Sequence, residues 1–546
     1  MLLLVLLALI TPDDTLKTLE TELTRAMSLK LEDFPPPYFG AFAIDDALGA
    51  DIEARFGAVV QDKLEPGRQL YVDMRIGDYK FDNTAGKAEA MEVSFDETYQ
   101  PGHLSPLAFD TRSLRAALWL LADAQYKSAT AGFFRKRGQR IFQADDADKV
   151  ASFSHEKATL ANAPSPPLTW DRAGKAALAA RLSGMFSEAP HVFDHDVHVL
   201  GSARTRYVVN SEGTRVAWGR RVYGVTLSAF ARSPDGTLLQ SERSFYAANE
   251  GNLPSEEKLT GEVRQMIADL AALQKAKPAD PYTGPAILAP EASGVLFHEA
   301  LGHRLEGERQ KESDDGETFK GKIGQQVIPE FLDVWDDPSL QKLDAVELNG
   351  FYQYDDEGVP AQKVQLVERG ILKNFLLSRT PVEGFAHSNG HGRADGILKP
   401  EARMGTTMVV ARKTVSQAKL KQMLIAEAKR QGKPYGLLLR DITGGQTSTE
   451  TGGYQAFKGS PHMVYQVDVK TGVETLVRGV DLVGTPLSAL SRILAADDKP
   501  AAFNGYCGAA SGFVPVSTIA PSLLLSEIEL QRNNKEKQRA PILPKP

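Results

Sequence analysis

A chain of 546 residues, 42% hydrophobic and 24% charged, has room for two or three domains and is neither disordered nor fibrous in composition. Its formal net charge of −7 gives no support to nucleic-acid binding, which usually needs a strongly basic chain. The single cysteine, Cys507, excludes an intrachain disulfide and any Cys-rich zinc module.

The first ten residues include an apolar run, Leu2 to Ile10. A membrane-spanning helix needs about 20 residues, so this run is too short to cross a bilayer. It resembles the core of an export signal without the basic start or a clean cleavage site, so cytoplasmic and exported forms of a bacterial protein both stay open. Residues 1–14 are therefore set apart as signal-like or as a buried first element, and no later stretch is apolar enough to cross a membrane.

The spacing of Leu16, Leu19, Leu23 and Met27 predicts a helix over Thr15 to Leu31, ended by Pro35-Pro36-Pro37. Strands are expected around Leu70–Met74 and Met91–Phe95, then a long helix from the cap Asp110 to about Arg135. Period-two alternation fills 192–248, with turns at Asn210–Gly213 and Ser233–Gly236. A charged helix over Ser255 to Lys275 leads into Lys277–Pro281, a proline-bearing stretch read as a domain boundary. Beyond it the chain is strand-rich, with a helix over Val415 to Gln431 and a loose basic tail from 533 to 546. Hairpins and separate helices without βαβ alternation predict an α+β fold: an N-terminal α+β region over 15–280 and a strand-rich C-terminal domain over 281–532.

The chemistry sits in the stretch from Leu288 to Gly307. A short apolar strand runs into Pro290, a favoured first helical residue, and the helix carries His298, Glu299 and His303. Two imidazoles able to hold an ion, with a carboxylate able to take a proton from the water on it, follow the logic of a zinc hydrolase. The spacing is H-E-x-x-x-H, and in a regular α-helix the fifth residue lies about 140° round the axis. Both rings can reach one ion only if the helix distorts to i→i+5 bonding or loosens at Gly302. Two core-edge histidines on one helix are the plain alternative. A catalytic zinc site needs a third protein ligand and one open position, and Cys507, between glycine-rich neighbours, is the candidate. Glu306 competes but suits an anchoring role better.

The stretch resembles the TldD/PmbA family of bacterial metallopeptidases, whose catalytic members carry H-E-A-x-G-H-x-L-E and a late Cys-Gly segment. Further landmarks are Phe319–Gln325, Asp355–Pro360, Gly370–Leu376, Asn389–Arg393, Arg478-Gly479 and Val514-Pro515-Val516. The resemblance covers 285 to 530 well and the N-terminal half loosely. It implies a metallopeptidase with one zinc ion held by His298, His303 and Cys507, and Glu299 as the base acting on metal-held water. It also implies an enclosed cavity reached by short or unfolded peptides, and a homodimer or a heterodimer with a family member lacking the motif. Two other readings stand beside it: Cys507 as a nucleophile with His298 or His303 as base, and a non-catalytic metal-binding subunit that presents peptides. His391, Arg393 and Tyr454 are candidates for steadying an oxyanion.

Three decoys are set aside. His191, His195 and His198 read as solvated strand histidines, the first two on one face. Gly316 to Lys322 spells G-x-x-x-x-G-K, but Ile323 replaces the Ser/Thr that a phosphate loop requires. Gly444-Gly445-Gln446-Thr447 reads as a tight turn.

Overall fold

Pro12 opens the first helix, and Asp13 and Asp14 lie in its first turn, where carboxylates favour the helix dipole. This helix, Pro12–Ala26, buries Leu16, Leu19 and Leu23 and stops five residues short of the predicted end. The computed structural model describes residues 12–31, 33–84, 101–103, 105, 107, 110–140, 150–311, 318–447, 456–533, 537–539, 541 and 543. The apolar run at Leu2–Ile10, the expected strand at Met91–Phe95, and Tyr454 fall outside these residues. Among the described residues there are seven α-helices, and no helix is long and apolar enough to cross a membrane.

Two very long strands, Phe39–Arg55 and Ala58–Arg75, form a hairpin that joins Val192–Asn210 and Arg215–Arg232 in one antiparallel sheet. Leu160–Ala163 and Leu238–Ala247 complete it, both pairing with Arg215–Arg232. Gly213 and Gly236 hold the positive φ that the two turns need, at 93° and 85°. Alternation puts Phe42, Ile44, Ile52, Val197, Val199 and Val209 on one buried face. Four helices cover that face. Pro12–Ala26 and Thr111–Arg140 lie at one end, and Arg172–Ser187 and Glu256–Lys275 at the other. Asp110 accepts from the Arg112 and Ser113 amides and so starts Thr111–Arg140 as expected. Arg172–Ser187 was not anticipated; Asp171 caps it, accepting from Gly174 N–H at 3.1 Å.

The opposite face is charged yet buried. Asp45 bonds both Arg204 and Arg206, and Arg206 Nε donates to the Asp356 carbonyl at 3.0 Å across to the C-terminal half. Burial pushes the Asp45 carboxyl up, but the two guanidinium groups outweigh it and hold the group below its usual range.

Lys277 and Pro278 already pair with Glu474–Arg478, so the predicted linker enters the second half as a strand. There, Tyr282–Leu288, Leu523–Arg532, Val480–Gly484, Phe457–Asp468 and Tyr435–Thr447 pair in turn, and the last pairs with the first. They close into a five-stranded barrel. A second sheet runs from Ile371–Leu372 through Val364–Glu368, Leu332–Asp336, Thr406–Ala411 and Gly512–Ala520 to the edge strand Ala501–Ala509. The short helix Pro290–Phe297 leaves the barrel and packs on that edge hairpin. The approach is close: a Cβ on Gly294 would stand 3.2 Å from Thr518 Cγ2.

One further expectation is corrected. Gly444–Thr447 is not a tight turn but the end of a barrel strand, with a register break between Ile442 and Gly445. In the tail, the exposed Gln538 donates its N–H to the Gly236 carbonyl, and its side chain accepts from Arg232.

The interface charges yield a prediction. Asp45→Ala takes the nearest carboxylate from the buried Arg206 and the partly exposed Arg204, leaving them only the longer approach to Asp356, and is expected to cost about 3–5 kcal/mol in a urea unfolding series at neutral pH. A change under about 0.5 kcal/mol, the usual size for a surface substitution, would show that the cluster does not hold the halves together.

Candidate metal centre

Pro290–Phe297 is α-helical, His298–Gly302 follows as a π turn, and His303–Leu305 tightens to a 3-10 turn. The His303 N–H reaches the His298 carbonyl, five residues back. One extra residue per turn swings His303 round to the side of His298. The two rings stand edge to face with centroids 4.9 Å apart. The distortion demanded by the spacing is present, but Gly302 serves it differently from the expectation. Its φ of −55° is ordinary helix. A side chain is excluded for lack of room, since a Cβ there would lie 2.0 Å from Met404 Sδ.

Cys507 arrives on the edge strand Ala501–Ala509, 204 residues beyond His303. Its Sγ is 3.1 Å from His298 Nε2 and 3.3 Å from His303 Nε2, and the three donor atoms all lie within 4.8 Å of one another. Glu306 takes the anchoring role: its Oε1 accepts from His303 Nδ1 at 3.0 Å, while Arg309 Nε donates to Oε2 at 2.8 Å. A carboxylate only accepts, so Nδ1 carries a proton, and Nε2, which faces the sulfur, is the ring nitrogen that an ion can take in place of a proton.

The donor set fits a zinc-type ion. Bond lengths of about 2.3 Å to sulfur and 2.0–2.1 Å to nitrogen put tetrahedral S and N donors about 3.5 Å apart, a few tenths more than the spacing here. The electrostatics agree. Burial opposes a charge on His303, yet Glu306 and Cys507 outweigh it and push the imidazole up to about 10. Burial likewise raises the Cys507 thiol, but the two imidazoles outweigh it and hold the thiol well below its ordinary value. Sulfur and carboxylate together call for positive charge at the point where the three donors meet.

Glu299 is buried at the back of the same turn. Its carboxyl is pushed up chiefly by burial, with His298 and His303 pulling the other way. Its carbonyl accepts from Arg304 Nη1 at 2.8 Å, and the same nitrogen donates to Thr447. Gly445 leaves space for the carboxylate, because a Cβ there would fall 2.5 Å from Glu299 Cγ. His298 is partly exposed whereas Glu299, His303 and Cys507 are buried, so the centre opens on the His298 side.

Other sequence candidates are occupied elsewhere. His391 faces Asp336 through Nε2 and Asn389 through Nδ1, and Arg393 donates to the Met404 carbonyl and lies over the Tyr352 ring. Of the histidines of 191–198, His195 is not solvated as expected, while His191 and His198 are partly exposed. His195 is fully buried and its Nε2 accepts from the Phe56 N–H, His191 bonds the Ile267 carbonyl, and His198 bonds Asp51. Sequence reasoning missed Arg304, Gly445 and Arg403. Only Arg304 carried a signal, lying inside the motif.

Fold and donor set together define an α+β protein with a candidate His-His-Cys metal centre. Residues 281–532 match the PmbA/TldA metallopeptidase C-terminal domain. The match covers the C-terminal part of the chain, which is similar to the metallopeptidases of the TldD/PmbA family. It is 32% identical over 245 residues to a metalloprotease of Methanocaldococcus jannaschii, a region that is 45% of this chain and 50% of that protein. It is 25% identical over 280 residues to a zinc metalloprotease TldD homolog of Saccharolobus solfataricus, covering 49% of this chain and 57% of that protein. The chain thus spans about half the length of the curated relatives it matches. Among solved structures, TldE from Thermococcus kodakarensis superposes with a TM-score of 0.60 at 15% identity, over 94% of this chain and 99% of that one, a likeness of fold alone.

Removing the anchor tests the geometry. Glu306→Ala frees His303 Nδ1 and is expected to weaken zinc binding by about 10–100-fold in competition with a chelating dye. Undiminished affinity would mean that Glu306 does not orient the ring.

Proposed function

We propose that this chain is a zinc-dependent peptidase acting on short or unfolded peptides, with His298, His303 and Cys507 as ligands and Glu299 as general base. The observation that carries the reading is the meeting of three donor atoms within 4.8 Å, two from a π turn and one from a distant strand, beside a buried carboxylate. A zinc ion held by His298, His303 and Cys507 would supply Lewis acidity toward a scissile carbonyl and a water. Glu299 takes the proton from the attacking water and returns it to the leaving nitrogen. Burial keeps Glu299 out of bulk solvent, so its interaction with the reacting atoms is little screened. Arg304, bonded to the Glu299 carbonyl, holds the backbone from which the carboxylate projects. The family resemblance supports a dimeric working unit, of this chain alone or with a family member that lacks the motif.

One observation favours a second reading. The Cys507–His298 contact of 3.1 Å also suits a thiol nucleophile and its base. Peptide turnover that survives chelation but is lost on alkylating Cys507 would establish that reading instead. The metal reading predicts the reverse, with turnover lost on chelation and restored by zinc.

Two substitutions test the base. Glu299→Gln is expected to retain zinc and lose about 10²–10⁴-fold in turnover of an unstructured peptide. Gly445→Ala should also retain zinc and lose turnover, because the new methyl displaces the Glu299 side chain. Unchanged turnover in Glu299→Gln would show that Glu299 is not the base, whereas a wild-type chain that binds zinc and peptide but turns none over would point to a subunit that presents peptides without cutting them.

A further inference from the structure

A guanidinium lies against the sulfur of this centre. Arg403 is 1% exposed, and its Nη2 donates to Cys507 Sγ at 3.2 Å and to the Cys507 carbonyl at 2.6 Å. Nη1 crosses the hairpin to Ser511 Oγ at 2.8 Å and the Gly512 carbonyl at 3.1 Å. Nε lies 3.4 Å from Glu306 Oε1, the oxygen that accepts from His303. One side chain therefore touches the sulfur donor directly and the imidazole donor through its anchor.

The backbone beneath it is equally constrained. The Arg403 N–H donates to the His391 carbonyl at 2.9 Å, and the carbonyl of the next residue, Met404, accepts from Arg393 at 2.6 Å. The Met404 sulfur fills the space against Gly302 in the π turn. Two consecutive residues thus press on both halves of the centre. Arg403 faces the hairpin that carries Cys507, and Met404 faces the turn that carries the histidines.

We propose that Arg403 is a positioning residue of the metal centre, whose planar fork sets the distance and orientation between Cys507 and His303. The fork presents five N–H donors in a fixed plane, so it can hold a sulfur, two carbonyls and a hydroxyl at defined angles, while a carboxylate lies at the edge of the same plane. A lysine ammonium is a point charge and cannot span the same groups. The proposal rests on the ligand set above, but it concerns how that set is held rather than what it catalyses.

The test uses the full chain and zinc and cobalt as probes. Zinc affinity is measured by dye competition, and the cobalt-loaded protein is examined for the near-ultraviolet band that arises from sulfur-to-cobalt charge transfer. Arg403→Met is expected to lose about 10–100-fold in zinc affinity, with the cobalt band shifted or weakened, and Arg403→Lys to fall between it and the wild type. Ser511→Ala removes one of the two contacts that Nη1 makes at the hairpin turn, leaving the Gly512 carbonyl, and is expected to match the wild type in both readouts. Wild-type affinity and spectrum in Arg403→Met would overturn the proposal. So would an equal loss in Ser511→Ala, because Arg403 would then act only by bracing the hairpin. Should melting curves show Arg403→Met to be unfolded, Arg403→Lys decides, and wild-type values in the folded lysine variant overturn the idea. A wild-type chain that binds neither zinc nor cobalt through sulfur sinks the peptidase reading as well; intact wild-type binding with an indifferent Arg403 sinks only this inference.

Discussion

The arrangement depends on one backbone hydrogen bond, from the His303 N–H to the His298 carbonyl. With ordinary i→i−4 bonding the two imidazoles would point about 140° apart, and a sulfur could meet one of them but not both. Widening a single turn costs some helical regularity and brings both rings to the same side. The elements around that turn are arranged to keep it. A barrel strand feeds the helix from one end, the edge hairpin packs on it at Gly294, and Met404 closes on it at Gly302. Each close approach uses a glycine for room rather than for an unusual φ.

The centre is also a problem in buried charge. Glu306, Arg309 and Arg403 surround His303 and Cys507, and each is balanced by a neighbour within hydrogen-bonding or ion-pair distance. Such networks add little net stability, since desolvation offsets most of the attraction, but they fix geometry because any displacement leaves a charge uncompensated. The same device appears between the halves, where Asp45, Arg204 and Arg206 meet Asp356. In both places the fold uses ion pairs where an apolar surface would tolerate sliding.

Much of this was legible in the residues because the governing interactions are local. Asp110 as a cap, the glycines of the two N-terminal turns, and the leucine spacing of the first helix all act within a few positions. The H-E-x-x-x-H spacing announced a helical distortion on geometric grounds alone. What could not be read depends on partners far along the chain. Arg403 sits in an unremarkable Glu-Ala-Arg-Met-Gly run, and its meaning arises only when Cys507, more than a hundred residues later, folds against it. His195 looks like a surface strand residue until Phe56 and Phe186 cover it. The helix Arg172–Ser187 is alanine-rich with a weak apolar stripe, and Gly444–Thr447 carries turn residues that a barrel strand uses for a register break and for room beside Glu299.

Zinc-edge X-ray absorption of the zinc-loaded chain tests the central claim most directly. The account predicts one sulfur scatterer at about 2.3 Å and two imidazole nitrogens at about 2.0–2.1 Å. A first shell of nitrogen and oxygen alone, with no sulfur contribution, would contradict it.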